Sequence, residues 1–355
     1  MKNRVFSFFM PKLDIGGIER VLINYANELL NNGWEVDFVL CRTGGCLQTL
    51  LDKNIKIVNL GEISLKKSFF PLRNYLKKRN PAFLYTGANL QNMVCIVSAW
   101  RLNTKVIISQ HNYFDIDVKH LGLWSHVEQR LMHFLYPKAD YIISVSDGIK
   151  DYLIGEIGVK KNRITVLPNP IDIEETISRS KDSSIKVPNR YIVFIGRISE
   201  VKNLDFLIKA YEKAELDGFS MVFVGDGVLL DDLKEKASKS AKRNSIFFTG
   251  SLENPLPFLA NASCLVLCSL SEALPTILIE ALILNVRIVA TPTKGAKEIL
   301  SCIPESLISN SFDNVSEFAN LLEKACESSR ISTRCYASKY DKKNIMKQFN
   351  TLINE

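Results

Sequence analysis

Short apolar runs alternate with amphipathic stretches along nearly the whole chain. In the first half the runs Val5–Met10, Val36–Leu40, Ile55–Leu60, Ala82–Thr86, Lys105–Ser109, Tyr141–Val145 and Ile164–Leu167 have the length and continuous hydrophobicity of strands buried on both faces. Between them, Ile18–Leu30 and Trp124–Tyr136 carry apolar positions at helical spacing, and Ser146-Asp147 offers a cap to a further helix. The second half starts afresh. Strands are predicted at Tyr191–Ile195, Met221–Val224, Ile246–Thr249, Cys264–Leu270 and Val286–Ala290. Helices are predicted at Leu204–Ala214, Val228–Ala241, Pro255–Asn261, from Pro275 onward, and at Val315–Cys326. Tyr336–Leu352 is a last amphipathic helix. Strand–helix alternation of this kind predicts α/β units with parallel sheets.

At 355 residues the chain exceeds one ordinary core, so two domains are expected. Two prolines in Pro168-Asn169-Pro170 stop any regular element, and Ser178–Pro188 is polar. The linker is therefore placed within 170–189, giving domains at 1–175 and 190–335 with a terminal helix at 336–355. Composition adds little to this: 46% hydrophobic and 23% charged residues describe a soluble globular chain. No run of about 18 uncharged apolar residues reads as a membrane span. The start, MKNRVFSFFMPKLDIGG, lacks a small-residue cleavage site and reads as a first strand and turn rather than a leader. Eight cysteines without a C-x-x-C pair read as reduced core residues of a cytoplasmic protein, not as a zinc site.

Charge changes the picture in one place. The net charge of +7 admits anionic partners in general. Leu65–Arg79 concentrates it: Lys66, Lys67, Arg73, Lys77, Lys78 and Arg79 occur with Phe69, Phe70 and Tyr75 and no acid. Such a basic, aromatic segment suits an anionic membrane surface; a solvated helix face over a core-facing Phe pair is the alternative. No nucleic-acid module accompanies the charge, so nucleic acid is not an expected partner.

Ligands of a parallel sheet sit at the carboxyl ends of its strands, and several of these positions carry chemistry. Gly16-Gly17 after the first strand allow backbone to approach a phosphate, or make a plain tight turn. His111 follows Gln110 at a strand end and is either a rim residue or structural. Asp115-Ile116-Asp117 has the form of a metal–nucleotide clamp but follows no convincing strand, so no metal site is assigned. Gly196-Arg197 and Lys202 put two cations at a helix entrance, a fit for a diphosphate or for surface ion pairing. Gly225-Asp226-Gly227 is another close-approach turn. The densest stretch is Ser269–Ile299: strand, acidic turn Ser271-Glu272-Ala273-Leu274-Pro275, helix with Glu280, then strand. Pro275 suits the first turn of that helix, whose start offers free N–H groups to an anion.

Glu272 and Glu280 have seven residues between them, and this E-x7-E spacing does not stand alone. In order along the chain come Gly16-Gly17-Ile18-Glu19-Arg20, His111, Val145-Ser146, Leu167-Pro168-Asn169-Pro170-Ile171-Asp172, Gly196-Arg197…Lys202-Asn203, Gly225-Asp226-Gly227 and Ala290-Thr291…Gly295…Glu298-Ile299. The ordered set resembles family GT4 of the GT-B-fold retaining glycosyltransferases, most of all bacterial members that build surface polysaccharide on a lipid carrier. The resemblance implies two Rossmann-like doubly wound domains facing a cleft, acceptor on the first and nucleotide sugar on the second. It also implies a C-terminal helix that crosses back to the first domain.

By the same resemblance Glu272 meets donor-sugar hydroxyls, and the backbone around Ala273, Leu274 and Thr276 approaches sugar and phosphate. Glu280 accepts from the ribose, Arg197 and Lys202 neutralise the diphosphate, and Gly16 and Gly17 close over it. Gly225 lies in the donor loop, Ser251 and Leu252 meet the base, and His111 lies near the sugar. Glu272, His111, Arg197 and Lys202 form the catalytic set. No metal or cofactor is implied beyond the donor, with UDP its first choice of base and GDP the second. No pair of carboxylates reads as nucleophile and acid, so front-face transfer assisted by the leaving group fits better than a covalent intermediate. The acceptor implied is a polyprenyl-diphosphate-linked saccharide, used by a hexosyl- or N-acetylhexosaminyltransferase peripherally bound to the inner face of the cytoplasmic membrane, in O-antigen- or capsule-type synthesis.

The sequence departs from the family pattern in three places. Leu284-Asn285-Val286 replaces Gly-x-Pro, and Asn285 is expected in a left-handed cap. Ala273-Leu274-Pro275 narrows the space over the sugar slightly. Thr291–Gly295 replaces an Asp- and Gly-rich loop, with Lys294 beside the phosphate or exposed. Two other readings stay open: an epimerase of the same fold, against which the E-x7-E set argues, and a non-catalytic nucleotide-sugar-binding protein.

Overall fold

The computed structural model describes residues 4–14, 16–113, 123–182 and 186–354. It divides into two units, Met1–Pro170 with Met346–Glu355, and Ile171–Ile345. The Asp115-Ile116-Asp117 motif lies outside the described residues.

The first unit is built on a parallel sheet in the order β3-β2-β1-β4-β5-β6-β7. The strands are β1 Val5–Met10, β2 Glu35–Leu40, β3 Lys56–Asn59, β4 Phe83–Gly87, β5 Lys105–Gln110, β6 Tyr141–Ser144 and β7 Ile164–Val166. β1 and β4 are buried along their whole length, as central strands covered on both faces must be. The order reverses between β1 and β4, which pair directly. That reversal is the point where open α/β sheets leave a ligand crevice.

Helices Gly17–Asn31, Phe69–Arg79, Asn89–Ala99, Leu123–Leu135 and Asp147–Gly155 flank the sheet. The helix Asn89–Ala99 had no counterpart in the sequence reading, because Asn89, Gln91 and Asn92 interrupt its apolar pattern. Asn92 is in fact buried, its amide donating to Ser109 O and Tyr136 Oη at 3.0 Å each. The terminal helix Lys342–Asn354 returns Phe349 to this core. Its ring sits 4.6 Å from that of Tyr25 and 5.7 Å from that of Tyr85.

The second unit repeats the plan in the order β10-β9-β8-β11-β12-β13. Its strands are β8 Tyr191–Ile195, β9 Ser220–Val224, β10 Ile246–Gly250, β11 Cys264–Leu267, β12 Arg287–Ala290 and β13 Leu307–Ile308. The switch lies between β8 and β11. Both sheets are therefore doubly wound, and the architecture is GT-B.

Four local expectations are corrected. The expected linker 170–189 carries a helix, Ile173–Arg179, capped by Asp172 Oδ1 accepting from Glu175 N at 2.9 Å, and the chain enters the second unit at Ile171. β11 ends at Leu267 rather than Leu270, because Leu270 N turns to bond Val201 O across the sheet end. Thr291–Gly295 is not a plain loop: Thr293 caps a helix, Lys294–Leu300, through its Oγ1. Cys46, Cys302 and Cys335 are exposed, so the cysteines are not uniformly core residues.

Candidate active site

Every loop at the carboxyl end of the second sheet is tied to its neighbour. After β8, Gly196 N donates to Val224 O (3.0 Å) and Ile198 N to Asp226 O (2.9 Å). After β9, Gly225 N donates to Gly250 O (2.8 Å). Thr291, after β12, donates its N–H to Leu267 O (2.8 Å) and its hydroxyl to Ser269 O (2.6 Å). Gly295 N donates to Glu272 O at 3.0 Å. The glycines in this platform answer to backbone. Gly225 has φ +144°, and a Cβ there would lie 1.9 Å from Gly196 O; one on Gly227 would lie 2.1 Å from Ile198 O. Gly225-Asp226-Gly227 is thus a close-approach turn whose near neighbour is the loop after β8.

The switch point brings together residues far apart in sequence. Lys202 ends the short 3₁₀ turn Glu200–Lys202, held by Cys268 Sγ on Lys202 O (3.0 Å) and by Asn203 in the left-handed region (φ 53°). Its Nζ lies 2.5 Å from Glu272 Oε1, and Ser269 Oγ donates to the same oxygen at 2.6 Å. Both side chains are mostly buried, with 21% of Lys202 and 14% of Glu272 exposed. Glu272 Oε2 takes no hydrogen bond among the described residues. Arg197 is exposed, and its guanidinium makes no ion pair among them.

Pro275 is the N-cap, not a first-turn residue, of the helix Thr276–Ile283, with extended ψ 100°. Its ring cannot donate and it has no side-chain cap to give. Among the described residues the backbone N–H groups of Ala273, Leu274, Thr276 and Ile277 find no acceptor. Ala273 and Leu274 are themselves buried. The first N–H groups of any helix lack an intrahelical acceptor; here those of Thr276 and Ile277 are joined by two more on the other side of Pro275, a backbone arrangement of the kind that can receive an anion. Glu280 sits half-buried in the next turn. Ser251 and Leu252 follow β10 at the far side of the platform. Asn285 adopts the expected left-handed conformation (φ 55°), and its Oδ1 accepts from Thr333 N at 2.8 Å.

In the first unit, Gly16, Gly17 and His111 stand after β1 and β5. His111 is buried, with Nε2 2.9 Å from Ser109 Oγ, which in turn lies 3.2 Å from Thr86 O. Burial pushes its pKa down to about 4, so the ring is neutral at pH 7. Gly87, which sequence reasoning passed over, makes room for this arrangement. A Cβ on it would lie 2.8 Å from Ser109 Oγ, 2.9 Å from Ile18 Cγ2 and 3.1 Å from His111 Nε2. Ser109 and Ser269 were also missed; a serine at a strand end carries no signal until its partner is known.

Two family models match adjoining stretches of the chain: "Glycosyltransferase Family 4" over residues 15–175 and "Glycosyl transferases group 1" over 176–343. The chain belongs to glycosyltransferase family 4. A *Campylobacter jejuni* relative of this glycosyltransferase is 29% identical over 87% of this chain and 85% of its own length. It is named as an alpha-1,4-N-acetyl-D-galactosaminyltransferase of GalNAc-alpha-(1->4)-GalNAc-alpha-(1->3)-diNAcBac-PP-undecaprenol. A second *C. jejuni* relative, an N-acetylgalactosamine-N,N'-diacetylbacillosaminyl-diphospho-undecaprenol 4-alpha-N-acetylgalactosaminyltransferase, is 30% identical over 49% of this chain and 47% of its own. Among solved structures, *Anabaena* HepE in complex with UDP and glucose superposes with a TM-score of 0.82 at 17% identity, covering 99% of this chain and 100% of that one.

The basic segment of this glycosyltransferase is not the uniform surface expected. Arg73 turns inward to donate to Ser98 O (2.8 Å) and Trp100 O (2.9 Å). Arg79 Nε grips fully buried Asp37 Oδ2 at 2.7 Å, and Tyr75 Oη donates to the same oxygen at 2.6 Å. A carboxylate buried in β2 requires these partners. Lys66, Lys67, Lys77, Lys78 and Phe70 remain exposed. Among the described residues no helix is long and apolar enough to cross a membrane.

Proposed function

We propose that this glycosyltransferase moves a hexose or N-acetylhexosamine, with retention, from a nucleoside diphosphate sugar to a saccharide carried on a lipid diphosphate in bacterial surface-glycan synthesis. UDP is the base and diphosphate proposed first. The observation that carries the reading is the row of unpartnered amides at Ala273, Leu274, Thr276 and Ile277 beside Lys202 and Glu272. Fixed N–H donors together with a nearby ammonium would stabilise the charge that develops on a departing diphosphate. Glu272 Oε2 is the open acceptor for sugar hydroxyls, Glu280 the acceptor for the ribose, and Arg197 an unengaged cation at the rim.

Gly17 belongs to this proposal as a ligand contact. Its φ is not positive, and nothing lies within 4 Å of where its Cβ would be, so neither conformation nor packing requires glycine there. Close approach of a ligand supplies the missing reason. His111, neutral at pH 7, is positioned to hydrogen-bond a sugar hydroxyl rather than to offer charge. The two *C. jejuni* relatives, both named for undecaprenyl-diphosphate-linked acceptors, support the lipid-carrier acceptor. Exposed Lys66, Lys67, Lys77 and Lys78 support work at an anionic membrane surface on the cytoplasmic side.

The test is incubation with a panel of UDP- and GDP-sugars, with and without polyprenyl-diphosphate-linked saccharides. A new glycolipid of retained anomeric configuration is expected. Conversion of donor without acceptor, or binding without turnover, refutes the transferase reaction proposed.

A further inference from the structure

The helices Phe69–Arg79, Asn89–Ala99 and Leu123–Leu135 pack side by side on one face of the first sheet. The sequence order explains this: the crossover from β3 to β4 passes to the opposite face from the helix Gly17–Asn31, and right-handed connections keep the next two helices there. The outward side of this layer carries large apolar side chains that no part of the described chain covers. Val127, Leu131 and Phe134 are 45%, 46% and 61% exposed and lie at i, i+4 and i+7, one stripe of their helix. Met132 and Leu135, on the opposite stripe, are buried. Trp100, at the end of the middle helix, is 43% exposed.

These are one patch. Lys138 Nζ lies 3.5 Å from the ring centroid of Phe134 and 4.4 Å from that of Trp100, so a single ammonium caps both rings. Trp100 is tied in turn to the basic helix, because Arg73 donates to its carbonyl. Around the patch the charge is positive. Residues 63–114 hold eight cations and no acid, and Arg101, Arg130 and Lys138 are exposed beside the aromatic side chains. The nearby acids are subdued: Glu128 is half-buried, and Asp140 accepts from Val106 N at 2.7 Å.

We propose that this face inserts into the headgroup region of an anionic bilayer, with Val127, Leu131, Phe134 and Trp100 as the apolar wedge and the surrounding lysines and arginines on lipid phosphates. The proposal rests on the lipid-linked acceptor above, and moves the apolar anchor from Leu65–Arg79 to the helix Leu123–Leu135 and the end of the middle helix. Aromatic and branched side chains rimmed by Lys and Arg match the interfacial layer of a membrane. A second copy of this chain fits worse, since a two-fold contact sets a predominantly basic face against itself.

The experiment is flotation of the full-length protein with phosphatidylcholine vesicles containing roughly 30% phosphatidylglycerol, a loading at which polybasic attraction is measurable. The wild type is expected to float, and Val127→Ser/Leu131→Ser/Phe134→Ser to lose at least about tenfold in partition with unchanged melting and UDP-sugar binding. Brominated-chain lipid should quench a tryptophan signal that Trp100→Tyr removes. Unchanged partition of the triple serine variant overturns the wedge; if Lys66→Ser/Lys67→Ser/Lys77→Ser/Lys78→Ser then loses binding, the basic-surface reading survives without it. A wild type that ignores vesicles yet glycosylates the polyprenyl acceptor in detergent also overturns the wedge and leaves the acceptor assignment standing. A lipid-free dimer that the serine variant dissociates overturns it in favour of self-association.

Discussion

His111 gives the most quantitative handle on the site. Its ring is buried beside Ser109, and its pKa is held near 4 against an ordinary value of 6.5. Burial disfavours the imidazolium, so the folded protein binds this proton later than the unfolded chain does. Between pH 6.5 and about 4 the unfolded state therefore carries more protons, and stability falls as pH falls through that window. Above 6.5 both states are neutral and below about 4 both are charged, so the effect is flat on either side. At about 1.4 kcal/mol per pH decade the interval amounts to about 3 kcal/mol. Many carboxylates titrate over the same range, so the assay compares wild type with His111→Gln, following thermal and urea unfolding of the first unit from pH 7.5 to 4. The difference between the two proteins should change by about 3 kcal/mol in favour of the variant at the acid end. A difference that stays constant with pH refutes a buried neutral imidazole. A limb near pH 6.5 in kcat/KM that His111→Gln abolishes would refute it independently.

Lys202→Ala should weaken UDP binding at least about tenfold, because its ammonium is fixed on Glu272 beside the open amides; unchanged affinity by calorimetry refutes the cradle. Arg79→Met should destabilise the first unit by about 3 kcal/mol, since it strips the charge partner from fully buried Asp37; an unshifted melting point refutes that role. Gly225→Ala should cost at least about 2 kcal/mol through its positive φ and the Gly196 carbonyl 1.9 Å from the new Cβ. Gly17→Ala should leave melting intact while lowering donor turnover, and full activity in that variant would refute donor contact at Gly17.

The fold was legible because each half repeats one pattern: buried apolar strands with helices between them, which parallel pairing demands. What the pattern hid was polar burial. The helix Asn89–Ala99 looks interrupted by asparagines, yet Asn92 is a core residue whose amide serves Ser109 O and Tyr136 Oη. Arg73, Tyr75 and Arg79 look like surface because charge in a sequence carries no direction; only Asp37, more than thirty residues earlier and buried in β2, turns two of them inward. The nearness of Lys202 to Glu272 was legible through ordered motifs, not through local chemistry. Ser269, Ser109 and Gly87 were not, since their contribution is to hold another side chain, and that is decided by neighbours across the sheet.

At first sight the Lys202–Glu272 pair is an obstacle to a donor, a cation already neutralised. The donor and acceptor inventory argues the other way. An ammonium has three N–H donors, and Glu272 Oε1 uses one of them. Ser269 Oγ shares that same oxygen, so the carboxylate is fixed through one atom while Oε2 stays open. A diphosphate can therefore take the remaining donors of Lys202, and a sugar hydroxyl can donate to Oε2, without breaking the pair. In the proposed donor complex each partner would hold the other's orientation before the donor arrives, leaving little reorganisation for the moment of transfer. Loss of Ser269 should then act through Glu272: Ser269→Ala is expected to lower kcat more than it raises the KM for donor. An equal fall in binding and turnover would place Ser269 on the substrate instead.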